Sequence, residues 1–144
     1  TFKLGFAGGP LTRPVNPKLR EAEGRHAWMT EAGIDMQVTG GWLDAFGYEL
    51  EPEEGAAWSR FLNDHLKEAT EANPFLAPLG SVPLQDGKLA AVVLRELIEA
   101  GHKGAMIGTQ PHGSSGNLDA PMLDPFWEAA SELGAVLYIH PMFG

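Results

Sequence analysis

The sequence predicts a parallel α/β chain. Three observations carry this: short apolar β-type runs begin near residues 34, 75, 104 and 135, amphipathic helical stretches lie between them, and the later units recur at roughly thirty residues, the length of a βα unit. The strand runs lack in/out alternation, as expected where helices cover both faces of a sheet. Such a chain is either a small doubly wound open sheet or part of a TIM-like (β/α)8 barrel. Four units are too few for a whole barrel, which takes about 250 residues. The 144 residues make one domain at most, and a chain of this size buries about 68–70% of its unfolded surface, enough for a core.

The elements follow in order. Asn16-Pro17 is an N-cap and N1 pair that opens a helix expected to run to Ala32, with Gly33 in the left-handed position that ends it; Gly24 weakens it. Residues 34–38, β-branched at two positions and bounded by glycines, read as a strand. Glu51-Pro52-Glu53-Glu54 puts a proline in a first turn and carboxylates at the positive end of a helix dipole. The expected buried stripe of that helix is Trp58, Phe61, Leu62, Leu66 and Ala69, and Asn73-Pro74 stops it. Residues 75–84, broken by Pro78 and Pro83, read as a strand in the middle and a loop at the end. Asp86 caps a third helix whose Leu89, Val92, Val93, Leu94, Leu97 and Ile98 form a wide apolar face closed by Gly101. Ala105-Met106-Ile107 is a buried strand, and residues 108–117 form a polar, glycine-rich loop. Pro121 starts the last helix, with Phe126, Trp127, Ala130 and Leu133 on one side and Gly134 at its end. Residues 135–139 form the final strand, stopped by His140-Pro141.

Composition narrows the function classes. Ten basic and 19 acidic residues give a net charge of −9, which opposes binding to nucleic acid or an anionic membrane. With no cysteine, a disulfide framework, a cysteine zinc site and a thiol nucleophile are excluded. No apolar stretch approaches the roughly 20 residues of a membrane span, and the first ten residues lack a signal-peptide core. The expectation is a cytoplasmic protein that acts on small molecules or serves as an interaction module.

Ligands of parallel α/β folds bind at the carboxyl ends of the strands, so residues 39–42, the stretch around Ser81 and Val82, residues 109–112 and His140 are the ones to interrogate. His140 directly follows the last strand and precedes a proline, where an imidazole can point into a cavity; an imidazole satisfied by a backbone carbonyl is the competing reading. One histidine does not make a metal site, and the chain contains no His-x-His, no His-Glu-x-x-His and no cysteine. His112 reads as a solvated loop residue, and His26, His65 and His102 as structural or solvent-facing. Arg13, in Thr12-Arg13-Pro14-Val15, has no partner at helical spacing, so its guanidinium is a candidate to take a substrate carboxylate, with a plain surface arginine as the alternative. Gly8-Gly9, Gly40-Gly41 and Gly113-Ser114-Ser115-Gly116 match neither a dinucleotide fingerprint nor a P-loop, and no Gly-x-Ser-x-Gly elbow is present.

Several runs taken in order carry a family likeness: Gly33-Ile34-Asp35-Met36-Gln37-Val38, Phe46-Gly47-Tyr48, Val82-Pro83-Leu84-Gln85-Asp86, Gly101-His102-Lys103-Gly104-Ala105-Met106-Ile107-Gly108-Thr109, Leu118-Asp119, Pro125-Phe126-Trp127 and His140-Pro141. With them, the chain resembles the amidohydrolase-related metal-dependent decarboxylases from about residue 13 to 140, and Ile-Gly-Thr with His-Pro at this separation is a fairly specific signature. The resemblance implies a (β/α)8 barrel holding one divalent ion, usually zinc, through a His-x-His after the first strand, a histidine after the fifth and an aspartate after the eighth. His140 matches the fifth-strand ligand, and Arg13 matches the arginine that binds the substrate carboxylate. His112 matches no ligand. The His-x-His, an acid/base histidine after the sixth strand and the aspartate have no counterpart within residues 1–144.

The resemblance thus implies a partial barrel, about strands two to five with their helices, spanning residues 1–144 and inactive by itself. The complete protein is expected to be a lyase acting on an unsaturated or aromatic carboxylate, and a homodimer. Hydrolysis of a lactone, ester or amide on the same scaffold is the alternative, and a metal-free binding module of four βα units is the third reading.

Overall fold

A computed structural model describes residues 2–6, 8–17, 21–113 and 115–142. Along them helices and strands alternate: α1 (Ala22–Glu31), β1 (Gln37–Thr39), α2 (Pro52–Glu71), β2 (Leu76–Pro78), α3 (Gly87–Glu99), β3 (Gly104–Gly108), α4 (Asp124–Leu133) and β4 (Val136–His140).

Strand pairing decides between the two architectures. β1 pairs parallel with β2, Gln37 opposite Leu76, and β3 pairs parallel with β4, Gly104 opposite Val136 and Gly108 opposite His140. Between these pairs, Gly80 N–H donates to the Gly104 carbonyl and Met106 N–H to the Gly80 carbonyl, both at 2.9 Å. The strands therefore stand side by side in chain order. A doubly wound sheet reverses its order at a switch point, whereas a barrel wall does not. The chain is part of an α/β barrel.

Local chemistry sets most element ends. Gly33, at φ +68°, ends α1: its N–H donates to Thr30 O at 3.2 Å, and Ile34 N–H reaches back to Met29 O at 2.8 Å. That bond takes the Ile34 N–H away from any ladder. The first sheet bond is Gln37 N–H to Phe75 O at 2.9 Å, so β1 starts at Gln37 and the strand expected over residues 34–38 lies further along. The N-terminal cap also differs from expectation. Glu21, with φ −101° and ψ 92°, is extended and precedes the first helical residue, Ala22, so Asn16-Pro17 does not cap α1; the intervening residues 18–20 lie outside the described ones. Asp86 caps α3 as expected, its carboxylate accepting from Lys88 N–H and Leu89 N–H at 2.9 Å. Residues 121–123 form a 3-10 turn ahead of α4, which begins at Asp124.

The buried face of α2 is not the expected one. Gly55, Ala56, Ser59, Asn63 and Thr70 are buried, Phe61 and Ala69 are exposed, and Trp58, Leu62 and Leu66 are half-buried. Asn63 explains the rotation. Its amide donates to Ser81 O at 2.9 Å and its carbonyl accepts from Ser81 N–H at 2.7 Å, satisfying both backbone groups of a buried residue that continues past β2. The face of α3 is narrower than expected: Val93, Leu94 and Leu97 are buried while Val92 is exposed. On α4, Phe126 and Ala130 are buried, and Trp127 and Leu133 are half-buried.

The core joins Phe46, Val82, Leu84, Leu94, Ile107 and Phe126, with α3 packed on α4 and on β3. No helix among the described residues is long and apolar enough to cross a membrane.

Candidate functional site

At the carboxyl ends of the strands the segments after β1, β3 and β4 converge. They enclose a cavity of about 220 Å³ lined by Leu43, Asp44, Tyr48, Glu49, Gly113 and Met142 among others. Met142 N–H donates to Thr109 Oγ1 at 3.1 Å, tying the chain beyond β4 to the chain beyond β3. Tyr48, buried, accepts from Gly108 N–H at 3.2 Å through its hydroxyl oxygen. Burial pushes its phenol pKa up, so Tyr48 is a neutral, protonated wall of the cavity.

His140 closes β4, half-buried, with Nδ1 2.8 Å from the carbonyl oxygen of Pro141. A carbonyl only accepts, so Nδ1 is the donor in this contact. The competing reading of His140, an imidazole satisfied by a backbone carbonyl, describes this one nitrogen, and the contact does not involve Nε2. Among the described residues no group of three or more His, Cys, Asp or Glu side chains is arranged to hold a metal ion.

Arg13 is paired. Its Nε donates to Asp44 Oδ2 and its Nη2 to Asp44 Oδ1, both at 2.9 Å. Spacing in the sequence did not reveal this partner: Asp44 is 31 residues away and reaches Arg13 because the loop after β1 folds beside the N-terminal segment. Since Asp44 also lines the cavity, the pair stands at its rim.

His140 is not among the residues that line the cavity, and neither are the other histidines. His112 is exposed, as expected of its loop, with its backbone N–H donating to Ser115 O at 3.1 Å. His65 is exposed and its Nδ1 meets Phe61 O at 2.9 Å, while His26 stacks on Phe75 at 4.4 Å. His102 is buried beside α2 and α3, and burial, the largest cause, lowers its pKa. Gly40-Gly41 serves packing: a Cβ on Gly41 would lie 2.9 Å from Ser81 Oγ and 3.1 Å from the Phe46 ring.

Asp44 escaped the sequence reading, whose site candidates in this loop stopped at Trp42, and Tyr48 entered it only within the run Phe46-Gly47-Tyr48, without a role at the site. One signal was present: Asp44 is the lone charge in the run Gly40-Gly41-Trp42-Leu43-Asp44-Ala45-Phe46, just beyond a strand end.

Residues 15–144 match the amidohydrolase family. Over 136 residues, 92% of this chain, the sequence is 32% identical to 2-amino-3-carboxymuconate-6-semialdehyde decarboxylase of Dictyostelium discoideum. Among solved structures, 5-carboxyvanillate decarboxylase from Sphingomonas paucimobilis superposes with a TM-score of 0.76 at 28% identity, covering 90% of this chain. The 5-carboxyvanillate decarboxylase of Novosphingobium aromaticivorans, complexed with manganese and 4-hydroxy-3-methoxy-5-nitrobenzoic acid, gives a TM-score of 0.73 at 29% identity over 82% of this chain. The match spans 37% of the curated relative and 40% and 34% of the two solved chains, respectively.

Proposed function

The chain belongs to the amidohydrolase family, and from that membership we propose that the protein carrying it is a metal-dependent decarboxylase, a lyase that removes CO2 from an aromatic or unsaturated carboxylate. The observation that carries the reaction class is the identity, 32% over 136 residues, with a decarboxylase. A decarboxylase relative crystallised with manganese and a substituted benzoic acid supports a divalent ion and an aromatic carboxylate as the ligands.

Within this chain, His140 would hold the ion through Nε2. Its Nδ1–H, held by Pro141 O at 2.8 Å, fixes tautomer and ring orientation, the support that ligating histidines generally have on their other nitrogen. One imidazole is not a site, so the remaining donors are expected beyond residues 1–144. The ion would supply Lewis acidity where negative charge develops as the bond to the carboxylate breaks. Zinc is the ion we favour, with manganese the other outcome of a metal analysis. Arg13 would orient the substrate through its carboxylate, a charge-assisted contact whose loss should cost about 1.5–3 kcal/mol of substrate binding. The buried, neutral Tyr48 and the half-buried Met142 keep water from that side of the cavity. A homodimer and a cytoplasmic location complete the proposal.

Product analysis of the full-length protein in 18O-labelled water tests the reaction. CO2 release with a solvent-derived hydrogen but no 18O in the organic product supports the lyase. Ring opening or 18O uptake into the organic product supports the hydrolase, the second reading, which the family's description favours. For the ligand assignment, His140→Ala should lose the bound metal, measured by elemental analysis, and most activity; retention of both refutes it.

A further inference from the structure

We propose that Asp44 is an internal counter-ligand of Arg13, a carboxylate with which the substrate's carboxylate must exchange, and that it thereby sets the affinity of the site for anions. This rests on the reading of Arg13 as the residue that takes the substrate carboxylate.

The geometry is that of the contact it would replace. Two parallel N–H···O bonds of 2.9 Å, Nε to Oδ2 and Nη2 to Oδ1, form the fork that a planar substrate carboxylate makes with a guanidinium. Asp44 presents the same chemical group, with the same two acceptors, as a benzoate-type ligand. The partners are unequally placed. The Arg13 side chain is 57% exposed and that of Asp44 15%, so the cation sits on the rim and the anion lies beneath it, in the cavity wall.

Asp44 is also anchored. It occupies the middle of a 3-10 turn, Leu43–Ala45, whose Ala45 N–H donates to Trp42 O at 2.9 Å and whose Ala45 O accepts from Trp58 Nε1–H at 2.6 Å. The carboxylate is thus fixed to α2 while the guanidinium reaches it from another segment. An ion pair open to water on one side contributes little net stability, because both charges are well solvated apart. Exchange of one carboxylate for another is therefore inexpensive. Asp44 stays close by after exchange, and its repulsion of the incoming anion weakens binding. Asp44 is a positioning and affinity-setting residue, acting through Arg13.

Benzoate titrated by calorimetry into the full-length protein at low ionic strength tests this, with benzamide as the neutral control. Asp44→Asn should tighten benzoate binding by about three- to tenfold and leave benzamide unchanged. Asp44→Ser, which also removes the charge, should likewise tighten benzoate and leave benzamide unchanged. Asp44→Glu, which keeps the charge, should stay within about twofold of the native protein, and Arg13→Gln should weaken benzoate and abolish the effect of Asp44→Asn in the double variant. A structural role for Asp44 would weaken binding on its removal, the opposite sign. Weakened benzoate binding in Arg13→Gln together with unchanged or weaker binding in Asp44→Asn overturns the exchange and leaves the arginine reading standing. The same gain in Asp44→Glu as in Asp44→Asn also overturns it. No effect of Arg13→Gln on benzoate overturns the arginine reading itself, and the exchange falls with it.

Discussion

β3 and the strands at the two edges are built from similar apolar residues and end in different surroundings. β3, flanked by β2 and β4 and covered by α3, buries Ala105 and Ile107 completely, whereas β1 leaves Val38 62% exposed and β4 leaves Tyr138 52% exposed. The difference lies in the neighbours. An apolar strand becomes core when other elements cover its faces, and among the described residues only β2 and β3 have a strand on either side. Residues that favour a strand by their own chemistry thus do not fix their own burial.

Four measurements probe that contrast, beginning with the covered region. Phe126→Ala removes a ring fully buried in the core and should lose about 3–5 kcal/mol in denaturant unfolding; a loss below 1 kcal/mol would show that the covered region is loosely packed. Asn63→Ala leaves the Ser81 N–H and carbonyl, both buried, without their partners and should cost about 1–3 kcal/mol. The same loss from a residue on the outer face of α2, such as Glu68→Ala, would sever the link between burial and stability there.

A pH effect comes from His102, at the amino-terminal side of β3. Burial lowers its folded pKa below the ordinary histidine value near 6.5. The unfolded chain then binds the proton more readily. Stability is fully present above about pH 6.5 and falls as the pH drops from there towards the folded pKa. Thermal unfolding of native protein and His102→Phe between pH 7.5 and 5.5 checks this: the native midpoint should fall by more than that of the variant. The smallest effect is expected at the edge, where Val38→Thr should change stability by no more than about 0.5 kcal/mol. A loss comparable to that of a core substitution would mean that β1 is covered in solution.

Legibility in the sequence follows the range of the interaction responsible. The proline-led acidic first turn of α2, the Asp86 cap of α3, the glycine that ends α1 and the position of His140 at a strand end were all readable, because each depends on residues within a few positions of one another. The first residue of α1, the start of β1 and the buried face of α2 were not. The last two depend on which backbone groups other elements have already taken: Ile34 N–H belongs to a helix end, and Asn63 is held by Ser81. At the candidate site, His140 and Arg13 stood out by residue type and place, while Asp44 gains its significance only from Arg13.

By itself the sequence determined that helices and strands alternate, that the strands are parallel, and that an imidazole stands where one of them ends; the expectation that both faces of every strand are covered holds among the described residues for β3 and not for β1 or β4. Tertiary structure decided the order of strands in the wall, the side of α2 that faces inward, and the joining of Arg13 to Asp44 across 31 residues. Backbone propensity and capping act over one or two turns of chain, so composition and spacing reveal them. The contacts that choose a face or a partner form only once distant segments have been brought together, and nothing local in the chain encodes their distance.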